Sequence, residues 1–168
     1  TIDNQKNYFK SKKTYNVDFR IQKLKDLLNE IKSSEKEIEL ALFNDLGKSK
    51  GESYLTEIHF VYSEIKIALR NLKKWTKRKA VKSTLLNFPS SDYIIAEPYG
   101  NTLHISPWNY PFQLSIAPLI GAIAAGNTVL LKPSEYSEQT SQILNKILSS
   151  VFDKGHVDVV LGGPDIST

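Results

Sequence analysis

The chain has no cysteine and no methionine among its 168 residues. The first absence excludes disulfides, thiolate metal sites and a thiol nucleophile within these residues. The second, with Thr1 in first position, leads us to expect an N-terminally trimmed chain or a fragment. No apolar run approaches the ~18 residues of a membrane span. The opening Thr1-Ile2-Asp3-Asn4-Gln5-Lys6 has no apolar signal core, so the expectation is a cytoplasmic protein. Acidic or basic excess is slight: 22 Lys and Arg against 18 Asp and Glu give a net charge of +4, too small to imply nucleic acid. His59, His104 and His156 stand too far apart for a local metal motif, and no G-x-S-x-G elbow is present. With 8 Gly, 7 Pro and 40% hydrophobic residues, collagen-like and disordered classes are excluded. A chain of this length makes one domain and buries roughly 70% of its unfolded surface.

Periodicity gives the organisation. Ile21, Leu24, Leu27, Leu28 and Ile31 recur at three and four residues, which predicts a helix with Asp18 as its N-cap. Ser34 followed by Glu37 predicts a capping box for a second helix, stopped by Gly47. Leu55, Ile58, Tyr62, Ile65, Leu69 and Leu72 mark a third, and helix is the reading for residues 18 to about 79. The basic run Lys73, Lys74, Lys77, Arg78, Lys79 and Lys82 ends it and reads as a solvated helix end.

Past the turn signals of residues 87–92 the texture changes to strand and helix in alternation. Strands are predicted at Tyr93–Glu97, Asn101–Ser106, Thr128–Lys132 and Val157–Leu161, the last closed by Gly162-Gly163-Pro164. The buried helix over Phe112–Ala125 should kink or restart at Pro118, and an amphipathic helix carries Ile143, Leu144, Ile147 and Leu148. Three apolar strands joined by two helices form a βαβαβ unit. The fold class is therefore α/β: N-terminal helices, then the first half of a Rossmann-like cofactor-binding domain.

Ligands of such sheets bind beyond the carboxyl ends of the strands, where three candidate groups stand. Ser106-Pro107-Trp108-Asn109 follows the first apolar strand, Lys132 and Glu135 the second, Gly162-Gly163 the third. The Asn109 amide could donate to a carbonyl oxygen acquiring charge or merely bridge loop backbone. Lys132 and Glu135 suit a sugar's hydroxyls or a surface ion pair. The glycines permit close backbone approach to a nucleotide, or simply turn the chain. Trp108 and Tyr110 could be core aromatics or a cofactor sandwich. No G-x-G-x-x-G fingerprint follows the first strand.

Three motifs in order, Glu97-Pro98-Tyr99-Gly100 through Pro107-Trp108-Asn109-Tyr110-Pro111-Phe112, then Gly121–Asn127, then Leu131-Lys132-Pro133-Ser134-Glu135, resemble the aldehyde dehydrogenase superfamily. The chain looks most like the class 3-like enzymes for fatty and aromatic aldehydes, and Ala41–Ser49 agrees. The resemblance implies NAD(P)-dependent oxidation of an aldehyde to a carboxylic acid through a Cys thioester. It implies that Asn109 holds the oxyanion, that Ser106, Pro107 and Trp108 run along the cofactor, and that Lys132 and Glu135 hold the adenosine ribose; Gly163 is a further cofactor-binding candidate, for the close backbone approach it permits. NAD is expected over NADP, because Glu135 would accept from a 2′-hydroxyl and repel a 2′-phosphate. A homodimer contacting through Tyr93–Ile105 is also implied, with a small aldehyde as substrate, no nucleic acid and no membrane span.

The family's nucleophilic Cys, its general-base Glu and its G-S-x-x-x-G turn are absent from these residues, and its members are far longer. The expected division is a helical part at 1–86, bridging strands at 87–102 and the first half of the cofactor domain at 103–168, inactive alone. The alternatives are a non-catalytic nucleotide-binding or interaction module and a CoA-acylating aldehyde dehydrogenase. A basic helical protein on anionic surfaces would rest on Lys73–Lys82 alone.

Overall fold

The computed structural model describes residues 2–163. Helix α1 (Ile2–Lys10) precedes α2 (Val17–Ser33) and α3 (Glu35–Leu46); a short α4 (Lys50–Ser53) and a π-helical segment (Tyr54–Ile58) run into α5 (His59–Trp75). Strands β1 (Lys79–Val81) and β2 (Asp92–Ile94) make a separate ribbon, followed by β3 (Asn101–Ile105), α6 (Pro111–Ala125), β4 (Thr128–Lys132), α7 (Glu138–Val151) and β5 (Val157–Val159). The parallel sheet has the order β3-β4-β5 with α6 and α7 as its crossovers, the predicted α/β unit. Its core joins Leu24, Leu27 and Ile31 of α2 to Phe112, Ile116 and Leu119 of α6, all fully buried. That is the burial expected of helix faces spaced by three and four residues.

Local capping departs from the sequence reading. Asn16, not Asp18, caps α2: its side-chain oxygen accepts from the Phe19 amide at 3.0 Å, and Asp18 lies in the first turn. The capping box at Ser34 does not form. Ser34 sits at φ −95°, ψ 6° and its side chain makes no capping bond. Its amide still bonds to the Glu30 carbonyl at 3.0 Å, so the backbone never adopts the extended conformation that aims an N-cap hydroxyl at the next turn. Glu37 reaches Lys146 instead, at 2.6 Å. Gly47 does stop α3, at φ 68°.

Helix α5 ends at Trp75 rather than near residue 79. The Thr76 hydroxyl takes the Leu72 carbonyl at 3.0 Å, and the end of the basic run becomes β1, antiparallel to β2 with Lys79 opposite Ile94. The predicted strand Tyr93–Glu97 shrinks to Asp92–Ile94 because β1 offers only a three-residue partner. Helix α6 continues through Pro118 without a restart. The third apolar strand is shorter than predicted, although the Val160 amide still donates to the Leu131 carbonyl at 2.9 Å; Pro164 lies outside the described residues. No helix among the described residues is long and apolar enough to cross a membrane.

Helix α1 was not predicted, and it docks through polar and aromatic groups. Gln5 is buried and donates to the Val129 carbonyl at 2.7 Å. Tyr8 stacks on His156 with ring centroids 5.5 Å apart, and Phe152 meets the same imidazole edge-on at 5.2 Å. His156 is fully buried and neither ring nitrogen has a hydrogen-bond partner. Burial first, then the nearby Lys23 charge, pushes its pKa from 6.5 down to about 4. The unfolded chain takes up this proton near its ordinary pKa, whereas the folded chain cannot. Stability is therefore lost as pH falls from 6.5 towards about 4, by about 3 kcal/mol in total. His156→Phe keeps the ring stack and removes the titration. Urea midpoints across this range should fall less steeply for the variant than for the native chain. Parallel slopes would refute the assignment.

Candidate functional site

The carboxyl ends of β3, β4 and β5 share one rim. The Ser106 amide donates to the Lys132 carbonyl at 3.1 Å and extends the ladder by one residue. The buried Ser106 hydroxyl meets the Ser115 hydroxyl at 2.7 Å, and Ser115 in turn donates to the Pro111 carbonyl at 2.6 Å. These bonds fold the segment back onto α6. Pro107 is exposed, and Trp108 is 53% exposed, so it is no core aromatic. Asn109 is exposed, and its side-chain amide makes no hydrogen bond within the described residues. It does not bridge loop backbone.

What holds this loop lies elsewhere in the chain. Helix α6 starts with Pro111 in its first turn and has no side-chain cap from Tyr110. Its free amides are met by Glu57, whose carboxylate accepts from Phe112 at 2.8 Å and Gln113 at 3.1 Å. Glu57 is fully buried and paired with Lys48, Nζ to Oε1, at 2.5 Å. The Lys48 ammonium also donates to the Asn109 carbonyl at 3.1 Å and lies 4.1 Å from the centre of the Tyr110 ring. Helix α7 is held similarly: Asp45 accepts from the amides of Gln139 at 3.0 Å and Thr140 at 2.7 Å, and from the Thr140 hydroxyl at 2.7 Å.

Helix N-termini ordinarily attract phosphate. At α6 and α7 that place is taken by carboxylates, so neither helix offers an anion site. The open rim is left with groups suited to hydroxyls and to a carbonyl oxygen. Lys132 is buried, and its ammonium lies 3.1 Å from Glu135 Oε2. The amide of Glu135 itself, then the Lys132 ammonium, hold the Glu135 carboxyl below the usual carboxylate range. It is therefore an acceptor at neutral pH. Glu135 lines a cleft of about 390 Å³ with Ser134, Glu138, Gly162 and Gly163. Gly162 has φ 143°, and a Cβ at Gly163 would meet nothing within 4 Å. This open backbone beside an acceptor carboxylate and a tethered ammonium fits a sugar ring bearing vicinal hydroxyls.

The fold thus brings Glu135 and Gly163 to one cleft, with Lys132 behind it through its ion pair to Glu135, and ties Ser106 to Lys132 through backbone. Asn109, Pro107 and Trp108 stand on the neighbouring loop and do not line that cleft. Sequence reasoning missed Lys48, Glu57 and Asp45. One signal was available: Glu57 lies four residues before the buried Val61, on the core-facing side of its helix, where a carboxylate needs a partner.

The aldehyde dehydrogenase family model matches residues 1–168. A 4,4'-diaponeurosporen-aldehyde dehydrogenase of Staphylococcus aureus (strain NCTC 8325 / PS 47) is 47% identical over 94% of this chain and 34% of that protein. Aldehyde dehydrogenase family 3 member B3 of Mus musculus is 43% identical over 95% of this chain and 33% of that protein. Among solved structures, the substrate-bound state of Staphylococcus aureus AldH superposes with a TM-score of 0.97 at 44% identity, covering 99% of this chain and 36% of that one. The chain spans about a third of the length of the curated relatives it matches.

Proposed function

Because the chain belongs to the aldehyde dehydrogenase family, we propose that it is the N-terminal part of an enzyme that oxidises a small aldehyde to a carboxylic acid, with NAD as the expected cofactor. The observation that carries this reading is the rim: an unpaired Asn109 amide on one loop and the Lys132–Glu135 pair at a glycine-lined cleft beside it. The nucleophilic Cys and the general-base Glu come from residues outside this chain. These residues alone catalyse nothing, since an oxyanion donor without a nucleophile has no intermediate to stabilise.

In this reading a bound nicotinamide dinucleotide supplies the hydride acceptor. Lys132 donates to, and Glu135 accepts from, the adenosine ribose hydroxyls, and Gly163 leaves backbone open for the nucleotide to approach. Ser106, Pro107 and Trp108 border the cofactor's path, and Asn109 donates its amide hydrogens to the aldehyde oxygen as that oxygen gains negative charge. Glu135 disfavours a 2′-phosphate by charge, which is the basis for NAD over NADP. Residues 1–86, 87–102 and 103–168 are read as the helical part, the bridging strands and the first half of the cofactor domain. The half-exposed Tyr93, Ile94 and Ile95 give the bridging strands an apolar edge suited to a homodimer contact across Tyr93–Ile105.

The test is aldehyde-dependent reduction of NAD by the complete protein. Glu135→Gln should raise the KM for NAD about tenfold, the worth of a hydrogen bond to a charged group, and leave the aldehyde KM unchanged. An unaltered NAD KM would remove Glu135 from the ribose site. No aldehyde-dependent reduction with NAD or NADP would overturn the whole reading.

A further inference from the structure

Besides the rim residues, the described residues hold one buried ion pair with an unusual set of partners. Lys48 and Glu57 come from separate elements, the loop after α3 and the π-helical segment, and both side chains are at least nine-tenths buried. Neither belongs to the groups assigned to substrate or cofactor. Isolating two charges from water is costly, and a buried pair seldom stabilises a fold more than apolar side chains of the same size would. What the pair touches is therefore informative. Lys48 fixes the Asn109 carbonyl and the Tyr110 ring; Glu57 fixes the Phe112 and Gln113 amides. Four of the five residues from 109 to 113 are thus tied to one ion pair. The Asn109 side chain itself is left free of any bond within the described residues.

We infer that the Lys48–Glu57 pair is a positioning device for Asn109, holding the backbone on both sides of a side chain that must stay unpaired to meet its substrate. The inference rests on the reading of Asn109 as the oxyanion donor. A free amide on an untethered loop would sample many orientations, and displacement by an ångström in such a site costs up to about 100-fold in rate. Lys48 removes that freedom through the carbonyl of residue 109, so the amide itself need not be spent on a tether. The π-helical turn is the local feature that presents Glu57 to α6, and such turns recur at functional sites.

The experiment is a double-mutant cycle in the complete enzyme, comparing Lys48→Met/Glu57→Gln with Asn109→Ala. The Lys48→Met/Glu57→Gln change leaves no unpaired buried charge and keeps a side-chain oxygen for the Phe112 and Gln113 amides. It deletes the Lys48 contacts to Asn109 and Tyr110. We expect kcat to fall about 10- to 100-fold, with KM for aldehyde and NAD within about threefold of native. In the Asn109→Ala background the same pair of substitutions should cost no more than about threefold, because there is no amide left to misplace. Equal losses in both backgrounds would overturn the inference and make the pair merely structural. So would an unchanged kcat in the native background. A native kcat in Asn109→Ala alone would instead overturn the oxyanion reading, and the inference with it.

Discussion

Replacing Arg20 by methionine should destabilise the folded chain by about 4 kcal/mol, the largest stability loss we expect from any single substitution here. Arg20 is 5% exposed, and no carboxylate lies within ion-pair distance of it among the described residues. Its guanidinium instead serves three carbonyls: Thr14 through Nε, Ala124 through Nη1 at 3.1 Å, and Tyr15 through Nη2 at 3.1 Å. Ala124 lies in the last turn of α6, where the helix dipole is negative and favours a cation. The other two close the turn between α1 and α2. One side chain therefore joins the N-terminal turn to the end of the helix under the rim. Burial lowers the Arg20 pKa, yet a guanidinium keeps its charge in proteins. Each lost charge-assisted bond costs about 1.5–3 kcal/mol, reduced where water can reach the carbonyl and where the buried charge itself is no longer paid for. Arg20→Lys should recover only part of the loss, because an ammonium cannot span three diverging acceptors. The measurement is urea denaturation. A difference below about 1 kcal/mol would mean that solvent replaces the guanidinium at all three carbonyls.

The second large effect is on rate. With Asn109 as the proposed oxyanion donor, Asn109→Ala in the complete protein should lower kcat about 10²- to 10³-fold, the usual worth of one such donor, with little change in either KM. In the proposed role the amide would interact more strongly with an oxygen carrying full negative charge than with a ground-state aldehyde. Asn109→Asp should be at least as slow, because a carboxylate offers no donor and repels the developing charge. Steady-state kinetics distinguish the roles: a raised aldehyde KM at native kcat would make Asn109 a binding residue only.

Much of this was legible in the residues. The bounds of β4 follow from the apolar run Thr128–Lys132, closed by Pro133. The Lys132–Glu135 pair follows from two opposite charges three residues apart, one ending that strand and one just beyond it. Helix capping was not legible, for a physical reason. Local rules looked for a cap within the preceding residues and proposed Asp18 and Ser34. The carboxylates that satisfy α6 and α7 come from Glu57 and Asp45, 55 and 95 positions earlier in the chain. Helix α1 escaped for a related reason. Its Gln5 is buried because a strand carbonyl 124 residues away accepts its amide, a partner that no periodicity in a polar segment can reveal.

Asp45 and Glu57 also lie close together in the chain, on either side of Gly47 and the short α4. From that one stretch, one carboxylate grips the helix beside Glu135 and the other grips the helix beside Asn109. The stretch behaves as a gauge block between the two ends of the rim. Its length is consequently under a constraint foreign to most surface connections, which absorb an added or deleted residue with little consequence. One residue more or fewer between these two carboxylates would shift one grip relative to the other and change the separation of the two ends of the rim. Descendants of this sequence can therefore vary the side chains of this segment more freely than its length.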